Sequence, residues 1–396
     1  MNKNILITPV VLLLAFIMAL AGCTSFPKLY FDTQGNIKES WVDINKKLDQ
    51  GNRVKVDDKG NVFVWASGNI ITKYNSNGKK LWQNNYHFGY PWDVALVRGY
   101  IYVAGNSNII KLDLNGNVQW SVPFSDGAST KSDPMAITVD SDNNVFVAGR
   151  LTYEGVNKCA IIKYSPNGEF LWAGTFTNGR STENSPIVLH DMWVSVAIDN
   201  SGNVVTAGYA GTVKYSRDGK QLWVGTRGGR DIAVDDLRNI YVTGWDGTTK
   251  YDENGNVLWK NTEDSSVIRI DNSGYIYISY PTTNPFPGSP PGKTIKYDSD
   301  GHTIWSQDNG GGCMFIDQSD GIYFINEQTT IVKFDGDGNI QWMARLVHNG
   351  GTNDGELYDL AVDKSGSVFT TGLITGSQLF SDFPVDAYVT VKFSQK

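Results

Sequence analysis

Short stretches in which apolar and polar residues alternate recur along the whole chain, and turn-forming residues separate them. The clearest copy contains residues 231–235, 239–244, 249–251 and 252–259, which read DIAVD, NIYVTG, TKY and DENGNVLW. Alternation with a period of two predicts β-strands, because successive side chains of a strand point to opposite faces. Gly, Asn and Asp at the boundaries predict tight turns. Each copy therefore predicts four short antiparallel strands and no helix.

Eight copies of this unit end on a tryptophan, and a glycine precedes that tryptophan by four residues in seven of them. Trp41 is the exception, because Gly35 lies six residues upstream of it. We expect each ring, at the end of the outer strand, to cover the seam between neighbouring units. The eight closing residues are Trp41, Trp82, Trp120, Trp172, Trp223, Trp259, Trp305 and Trp342.

Two further markers support the count. The opening strand ends on an aspartate in seven copies, and the copy near residues 94–97 lacks it. A lysine followed by an aromatic residue marks the third strand in seven copies, and Lys111-Leu112 replaces the pair in the eighth. Neighbours in a strand point to opposite faces, so we expect these ammonium groups in water and the rings inside. Asp in the turns is expected to bond the local backbone, with Gly or Asn at positive φ.

The two ends of the chain complement each other. The last unit, 359–393, stops after three strands, and the first clear segment, 36–41, is a closing strand with nothing before it. Pairing them would close a ring and hide both sheet edges. The sequence therefore predicts an all-β fold, a β-propeller of eight four-stranded blades whose N-terminal strand completes the C-terminal blade, with seven blades as the alternative. Residues 30–32 resemble a surplus third strand and have no predicted place. The predicted blades are 53–82, 93–120, 135–172, 194–223, 231–259, 267–305, 313–342, and 359–393 with 36–41.

The N-terminus has the features of an export signal. Lys3 precedes an apolar stretch, residues 5–20, which is too short and too abruptly ended for a convincing membrane span. It runs into Leu-Ala-Gly and then Cys23, a sequence that resembles the lipobox of bacterial lipoproteins. The resemblance implies cleavage before Cys23 and acylation (diacylation and palmitate-type N-acylation) of that residue, which gives a stable anchor. Thr24 rather than Asp follows, which implies the outer membrane if the cell is Gram-negative.

We therefore divide the chain into a signal peptide (1–22), a lipidated tether (23–35) and a propeller (36–396) at the bacterial cell envelope. The net charge is −7, and it becomes −8 (−7 minus 1) when the signal with its single lysine is removed. No cluster of Lys and Arg is available to neutralise phosphates, so no nucleic-acid partner is expected. Cys159 and Cys313 fall in blades on opposite sides of the ring, so we expect free buried thiols rather than a disulfide.

Several segments resemble a known family. The sequences GNVFV, DIAVD and DAYVTVKF (386–393) are similar to those of the bacterial seven-bladed β-propeller repeat group, over about residues 30 to 393. Members are mostly exported proteins, so the resemblance implies the fold and little about function. The turn followed by Trp is also similar to the docking motif of pyrroloquinoline-quinone-type propellers. That class includes quinoprotein dehydrogenases and an outer-membrane assembly lipoprotein.

One face of the predicted ring is a candidate binding face. The loops that lead into the inner strands, and those between second and third strands, lie on the same face, where loop variation carries function. The leading loops differ in length and contain three of the four histidines. The residues predicted to form this binding face are His87, Tyr90, Trp92, His190, Trp193, Arg227, Arg230, His348 and Glu356.

No metal site and no cofactor are predicted. The three histidines fall in separate blades without a close-spaced ligand pair. The loop that starts at residue 335 begins like an EF-hand, but Ile340 and Leu346 occupy the positions that need Gly and Glu. We expect a non-enzymatic platform that binds a protein or a cell-surface polymer. Two alternatives are a structural role in an outer-membrane assembly complex and a propeller enzyme. The enzyme would be a quinoprotein-like oxidoreductase, which the absence of a Cys-Cys pair disfavours, or a metal-dependent lyase using His348 and Glu356.

Overall fold

The computed structural model describes most of the chain, and every regular element in the described residues is a β-strand. No helix in this part of the chain has the length and apolar character needed to cross a bilayer. The described residues are 30–35, 37–45, 51–66, 69–86, 89–106, 108–176, 195–208, 210–225, 228–281, 292–347, 355–374 and 387–395.

The strands form eight antiparallel sheets, which are the blades. Two strands precede the first blade, β1 (Tyr30–Gly35) and β2 (Ile37–Asn45). Blade one contains β3 (Gly51–Val56), β4 (Val62–Ala66), β5 (Ile70–Tyr74) and β6 (Lys80–Asn85). Blade two contains β7 (Pro91–Val97), β8 (Tyr100–Gly105), β9 (Asn108–Asp113) and β10 (Val118–Pro123). Blade three contains β11 (Lys131–Val139), β12 (Val145–Tyr153), β13 (Val156–Tyr164) and β14 (Phe170–Phe176). Blade four contains β15 (Ser195–Ile198), β16 (Val204–Gly208), β17 (Gly211–Tyr215) and β18 (Gln221–Gly225).

The remaining blades continue in the same order around the ring. Blade five contains β19 (Asp231–Val234), β20 (Ile240–Gly244), β21 (Gly247–Tyr251) and β22 (Val257–Lys260). Blade six contains β23 (Val267–Ile270), β24 (Ile276–Tyr280), β25 (Lys293–Tyr297) and β26 (Thr303–Gln307). Blade seven contains β27 (Met314–Ile316), β28 (Ile322–Asn326), β29 (Thr330–Phe334) and β30 (Ile340–Val347). Blade eight contains β31 (Gly355–Val362), β32 (Val368–Ile374), β33 (Ala387–Gln395) and, from the other end of the chain, β2.

The ring closes as the sequence predicts. Strand β2 pairs antiparallel with β33, from Ile37 opposite Gln395 to Asn45 opposite Tyr388, so blade eight joins the two ends of the chain. The first strands of neighbouring blades contact one another around a central channel. The prediction of an eight-bladed, all-β propeller is therefore confirmed, and the seven-bladed alternative is wrong.

The surplus strand-like segment at residues 30–32 has a definite place. It belongs to β1, which pairs antiparallel with β30 and adds a fifth strand to the outer edge of blade seven. Tyr30 lies opposite Val347, and Gly35 lies opposite Trp342. This pairing covers the edge of β30 with backbone partners. The last six residues of the segment predicted as a tether, 23–35, are thus a strand, and the tether prediction applies to residues 23–29.

Hydrophobic cores lie between adjacent blades, and the closing tryptophans complete them. In seven junctions the indole Nε1 donates to a backbone carbonyl in the third-to-fourth-strand turn of the next blade, at 2.9 to 3.3 Å. The glycine of that turn allows the close approach. A Cβ on Gly219, which has φ +87°, would lie 2.7 Å from the Trp172 ring. The expectation that tryptophan covers the seam between units is confirmed.

The third-strand lysines do not point into water, so that expectation was wrong. Six of the eight are buried, and in seven the ammonium donates to the same turn carbonyl that the tryptophan uses, at 2.8 to 3.3 Å. Lys250, for example, donates to Ser299 at 2.8 Å and lies 5.1 Å from the centre of the Tyr241 ring. The carbonyl and the ring replace the water that the ammonium loses, which makes burial tolerable.

The junction between blades seven and eight lacks this docking contact. Blade eight builds its third and fourth strands from opposite ends of the chain, so no hairpin turn joins β33 to β2. The indole Nε1 of Trp342 is buried there without a hydrogen-bond partner. Lys333 lies 3.8 Å from the Asp317 carboxylate instead of donating to a turn carbonyl. At this junction the two blades are connected by strand pairing and not by the repeated dock, because β1 pairs with β30 of blade seven and β2 pairs with β33 of blade eight.

The acidic turns are hairpins, as predicted. Asp335 accepts from the backbone N–H groups of Asp337 at 3.0 Å and Asn339 at 2.9 Å, while Gly338 has φ +83°. The same arrangement recurs in the turns that begin at Asp57, Asp113 and Asp252. These carboxylates are therefore engaged by their own turns.

Candidate functional site

The two faces of the ring have different chemistry. We call the face with the loops into the inner strands and the second-to-third-strand hairpins the loop face, and the opposite face the turn face. Three exposed aromatic residues lie on the loop face, namely Tyr90, Trp92 and Trp245, with exposed fractions of 39, 40 and 41%. The turn face carries the acidic hairpins. Leu237, in the turn between β19 and β20, is exposed there, and the exposed ring of Phe170 begins β14 directly after a hairpin of the same face.

Four consecutive blades have longer first strands than the other four. Their first strands, β31, β3, β7 and β11, have six to nine residues, whereas those of blades four to seven have three or four. We call blades eight, one, two and three the long half-ring. In blade three, β12 and β13 have nine residues each, against five in blade four. The four additional residues (nine minus five) extend each strand by about 13 Å.

The same four blades share an irregularity in their first strands. Pairing between first and second strands shifts register in blades eight, one, two and three, and it shows no shift in blades four to seven. A β-bulge inserts one residue and changes the direction of its side chain. The residues at these four positions, close to the channel mouth, are Tyr358, Asn52, Trp92 and Met135.

An aromatic pair stands at the mouth of blade two. The rings of Tyr90 and Trp92 meet edge to face, with centroids 5.0 Å apart. The guanidinium of Arg53, from blade one, donates to the Trp92 carbonyl at 2.8 Å and to the Asn52 carbonyl at 3.0 Å. These bonds fix the backbone under Trp92 while its ring stays exposed. The Nδ2 of Asn52, a residue only 2% exposed, has no hydrogen-bond partner.

Charged groups line the channel below this pair and balance one another. Asp359 Oδ2 accepts the Val54 N–H of the next blade at 3.0 Å and lies 3.7 Å from the Lys55 ammonium. Asp93 Oδ2 accepts the N–H of Ile137 in blade three at 3.0 Å. Each carboxylate thereby ties its blade to the next one. Two cations (Arg53 and Lys55) face two carboxylates, so this part of the channel has no net charge.

Burial and these charges change the ionisation of the channel groups. Burial raises the pKa of the Asp93 carboxyl, against the opposing effect of the Arg53 guanidinium. Burial lowers the pKa of Arg53, but the carboxylates of Asp359 and Asp93 outweigh it and raise the pKa overall. Arg53 is therefore firmly cationic. The Cys313 thiol donates to Asp359 Oδ1 at 3.2 Å, and burial raises its pKa to about 12, so it is protonated at neutral pH.

A second cluster lies in blade five, across the ring from blade one. The Arg230 guanidinium stacks on the Trp245 ring, 4.2 Å from its centroid. Its Nη1 lies 3.3 Å from Asp264 Oδ1 and 3.2 Å from Ser266 Oγ. One face of the Trp245 ring is thus occupied by the guanidinium.

The tall strands of blade three carry a polar wall. The Tyr153 hydroxyl donates to Asp126, and the Lys158 ammonium lies 4.7 Å from the centre of the Tyr153 ring. Arg150 donates to Asp133 through two nitrogens. Two cations and two carboxylates therefore balance here as well. The wall presents hydrogen-bonding groups without excess charge.

The structure places four of the nine predicted binding-face residues. Tyr90, Trp92 and Arg230 lie on the loop face as described, and Glu356 lies in β31, where it accepts from the Tyr358 hydroxyl at 3.0 Å. Tyr90 and Trp92 come together, whereas Arg230 belongs to the separate cluster in blade five. The other predicted residues, which lie outside the described part of the chain, are His87, His190, Trp193, Arg227 and His348.

Sequence reasoning missed Trp245, Arg53 and three of the four bulge positions, Tyr358, Asn52 and Met135. The signal for Trp245 was present, because it follows Gly244 in a second-to-third-strand hairpin, on the same face as Arg230. The described residues contain no group of three or more His, Cys, Asp or Glu side chains that could hold a metal ion. Cys159 and Cys313 are free thiols in blades three and seven, as predicted.

The sequence matches no protein-family model and no curated protein. Solved structures with the same architecture are nevertheless numerous. A quinohemoprotein alcohol dehydrogenase from Comamonas testosteroni matches with a TM-score of 0.62 at 12% identity, over 90% of this chain and 76% of the other. BamB from Moraxella catarrhalis matches with a TM-score of 0.50 at 15% identity, over 75% and 86%. The C-terminal WD40 domain of Sif2 matches with a TM-score of 0.60 at 11% identity, over 90% and 98%. These similarities show the propeller fold.

Proposed function

We propose that this protein is an exported, lipid-anchored propeller that binds a protein or a cell-surface polymer through its loop face at the bacterial cell envelope. The observation that carries the proposal is that three of the four exposed aromatic side chains in the described residues, Tyr90, Trp92 and Trp245, lie on that face, whereas the fourth, Phe170, begins β14 at the turn-face end. Aromatic rings contribute large contact areas to binding surfaces. The turn face, in contrast, uses its carboxylates in its own hairpins.

The proposed anchor at Cys23 limits where a partner can be. The seven residues 23–29 can span at most about 25 Å between an acylated Cys23 and β1. Tyr30, where the tether meets the ring, lies opposite Val347 at the loop-face end of β30. An acylated Cys23 would therefore hold that side of the loop face close to the membrane surface. Outer-membrane localisation in a Gram-negative cell follows from Thr24 after the lipidated residue.

The similar structures favour a role in protein interaction and do not point to one catalytic chemistry. WD40 domains and BamB share the architecture, which favours a protein partner, including a structural part of an outer-membrane assembly. The quinohemoprotein dehydrogenase shares it too. Quinoprotein dehydrogenases of that type use a vicinal cysteine pair beside the quinone, and this chain has no Cys-Cys sequence. The residues present do not fit that cofactor, and we propose no redox step.

A crosslinked capture from intact membranes tests the proposal. The lipoprotein is compared with a loop-face variant, Trp92→Ala with Arg230→Ala, and with a turn-face control, Leu237→Ala, each checked for unchanged unfolding. We expect a partner, protein or polymer, that wild type and Leu237→Ala capture and the loop-face variant loses. Metabolic labelling with palmitate is expected to mark the wild type and not a Cys23→Ser variant.

Other outcomes count against the proposal. Equal capture by the loop-face variant would show that this face is not the contact. Loss of capture in Leu237→Ala alone would move the contact to the turn face. Equal palmitate labelling of Cys23→Ser would contradict the lipid anchor, and no capture above background in any form would remove the support for a platform.

A further inference from the structure

We infer that the mouth of the long half-ring is a saccharide site that takes an uncharged oligosaccharide, with Trp92 as its stacking platform. This inference rests on the proposed function, because it specifies the site and the ligand of the same loop face. It is carried by three features that coincide in blades eight, one, two and three. These are the shape of the half-ring, its exposed rings and its balanced charges.

The shape comes from the long first strands and from the extension of blade three. Strands β12 and β13 extend about 13 Å above the level of their five-residue counterparts in blade four. Blade eight, with eight residues in β31, rises at the other end of the half-ring. Blades one and two lie between them and carry Tyr90 and Trp92 at the channel mouth. An elongated ligand can lie on these two blades between the taller ones.

The aromatic pair offers the apolar contact that a sugar ring needs. Trp92 is the extra residue of a bulge, so its side chain departs from the regular alternation of β7. Its ring meets Tyr90 edge to face, and both side chains remain exposed to solvent. The C–H face of a pyranose packs on such a ring, and the flanking polar groups fix its hydroxyls. In blade five, by comparison, Arg230 already covers one face of the Trp245 ring.

The charges indicate an uncharged ligand. Arg53 and Lys55 balance Asp93 and Asp359 in the channel, and two cations balance two carboxylates on the blade-three wall. Glu356 in blade eight adds one carboxylate, which accepts from the Tyr358 hydroxyl, so an acidic polymer would find no net positive charge at this mouth. Hydroxyl groups, in contrast, can both donate to carboxylates and accept from guanidinium or amide groups. The unpartnered Nδ2 of Asn52, at the bulge of blade one, adds a donor without an acceptor.

Calorimetric titration of the intact lipoprotein tests this inference. The probes are maltohexaose, cellohexaose, mannohexaose and chitohexaose, with the hexamer of galacturonic acid as the charged counterpart and a casein peptide as the polypeptide counterpart. We expect at least one neutral hexasaccharide to bind more tightly than both counterparts. Trp92→Ala, whose side chain is partly exposed and whose carbonyl remains, is expected to weaken that binding by at least about tenfold. Leu237→Ala, on the turn face, is expected to bind like wild type.

Three results would overturn the inference. These are no binding of any neutral hexasaccharide at about 1 mM, tighter binding of the acidic hexamer or the peptide, and equal losses in Trp92→Ala and Trp245→Ala. The last would assign the contact to the whole face rather than to the half-ring. If the membrane capture gives a loop-face partner while the saccharides fail, the platform stands and the saccharide site falls. If both fail, the proposed function itself is wrong.

Discussion

Replacing tryptophan by phenylalanine at two junctions should have unequal effects, because one indole is docked and the other is not. The Nε1 of Trp223 donates to the Glu253 carbonyl at 3.0 Å. The Nε1 of Trp342 is buried without a partner. Phenylalanine keeps most of the ring and removes the N–H. The substitution therefore deletes a hydrogen bond at one junction and an unsatisfied donor at the other.

The difference can be worked out from the contacts. Trp223→Phe loses a hydrogen bond worth about 1 kcal/mol net, and Lys214 still bonds the carbonyl at 3.3 Å. Trp342→Phe removes a buried unpaired donor, which otherwise costs about 1–3 kcal/mol. Trp342 is the more buried of the two rings, so its smaller replacement leaves a cavity that costs about 1 kcal/mol more. Trp223→Phe should therefore lower the free energy of unfolding by about 1–3 kcal/mol more than Trp342→Phe.

Urea unfolding followed by far-ultraviolet circular dichroism measures this difference, because the remaining tryptophans would complicate a fluorescence signal. The free energy of unfolding must depend on urea concentration with the same slope in both variants before the two values are compared. Trp305→Phe, at another docked junction with a 3.0 Å bond to Gly336, is expected to behave like Trp223→Phe. If Trp342→Phe is as destabilising as the two docked variants, the docking bond does not stabilise the junctions and our account of the ring is wrong.

Two further predictions concern the same junctions. Gly219→Ala and Gly274→Ala both place a side chain at positive φ, at a cost of about 1 kcal/mol, but only the former meets the Trp172 ring. Gly219→Ala should therefore lower the free energy of unfolding in urea by about 1–3 kcal/mol more than Gly274→Ala does. Equal losses would contradict the close fit between this turn and the Trp172 ring. Burial raises the pKa of the Asp199 carboxyl, but hydrogen bonds from Lys214 and Asn203 outweigh burial and lower the pKa overall. The contribution of Asp199 to the free energy of unfolding is therefore present above the ordinary pKa of aspartate and is lost as pH falls through the lowered value. Asp199→Asn removes the counter-charge of the buried Lys214 ammonium, which keeps its bond to the Glu253 carbonyl, and should cost about 3–5 kcal/mol at pH 7. The difference in stability between wild type and Asp199→Asn, measured by thermal unfolding, should be smaller below pH 4 than at pH 7. A difference that does not change with pH would refute the ion-pair argument.

The sequence was sufficient for the fold because the elements that dock are local motifs, even though each Trp docks on the turn of the next blade. A Gly four residues before a Trp, after an acidic turn, is one hairpin and one outer strand, and each copy repeats the same contacts. The closing pair of β2 and β33 followed from an incomplete last unit. The lysine prediction failed because alternation gives the direction of a side chain but not its neighbour. In Lys250 that neighbour is the Ser299 carbonyl of the next blade, which depends on ring geometry.

The sequence predicted the face of the ring that carries the candidate site, but not which residues meet there. Loop lengths and aromatic residues singled out Tyr90 and Trp92, and these do lie together on the loop face. The bulge that exposes Trp92 depends on how β7 pairs with β8, and the sequence of one strand does not contain that register. Arg53 was missed for a similar reason. Its importance comes from Trp92, Asp93 and Asp359 in neighbouring blades, and no local motif marks it.

The repeated dock also explains why the two faces differ. Every docked junction fixes a tryptophan, a lysine and a turn glycine at the turn-face end of the blades, so an inserted residue there would break the contacts with the next blade. Contacts between the loop-face ends of neighbouring blades differ from one junction to the next; between blades seven and eight, for example, the Leu357 N–H donates to the Gln328 carbonyl at 2.6 Å. The additional residues of β12 and β13 therefore accumulate on the loop face, where they lengthen a blade without disturbing the ring. The repeated contacts that stabilise the ring lie at the turn-face ends of the blades, whereas strand length varies at the loop-face ends. We therefore expect the binding residues on the loop face, where Trp92 lies.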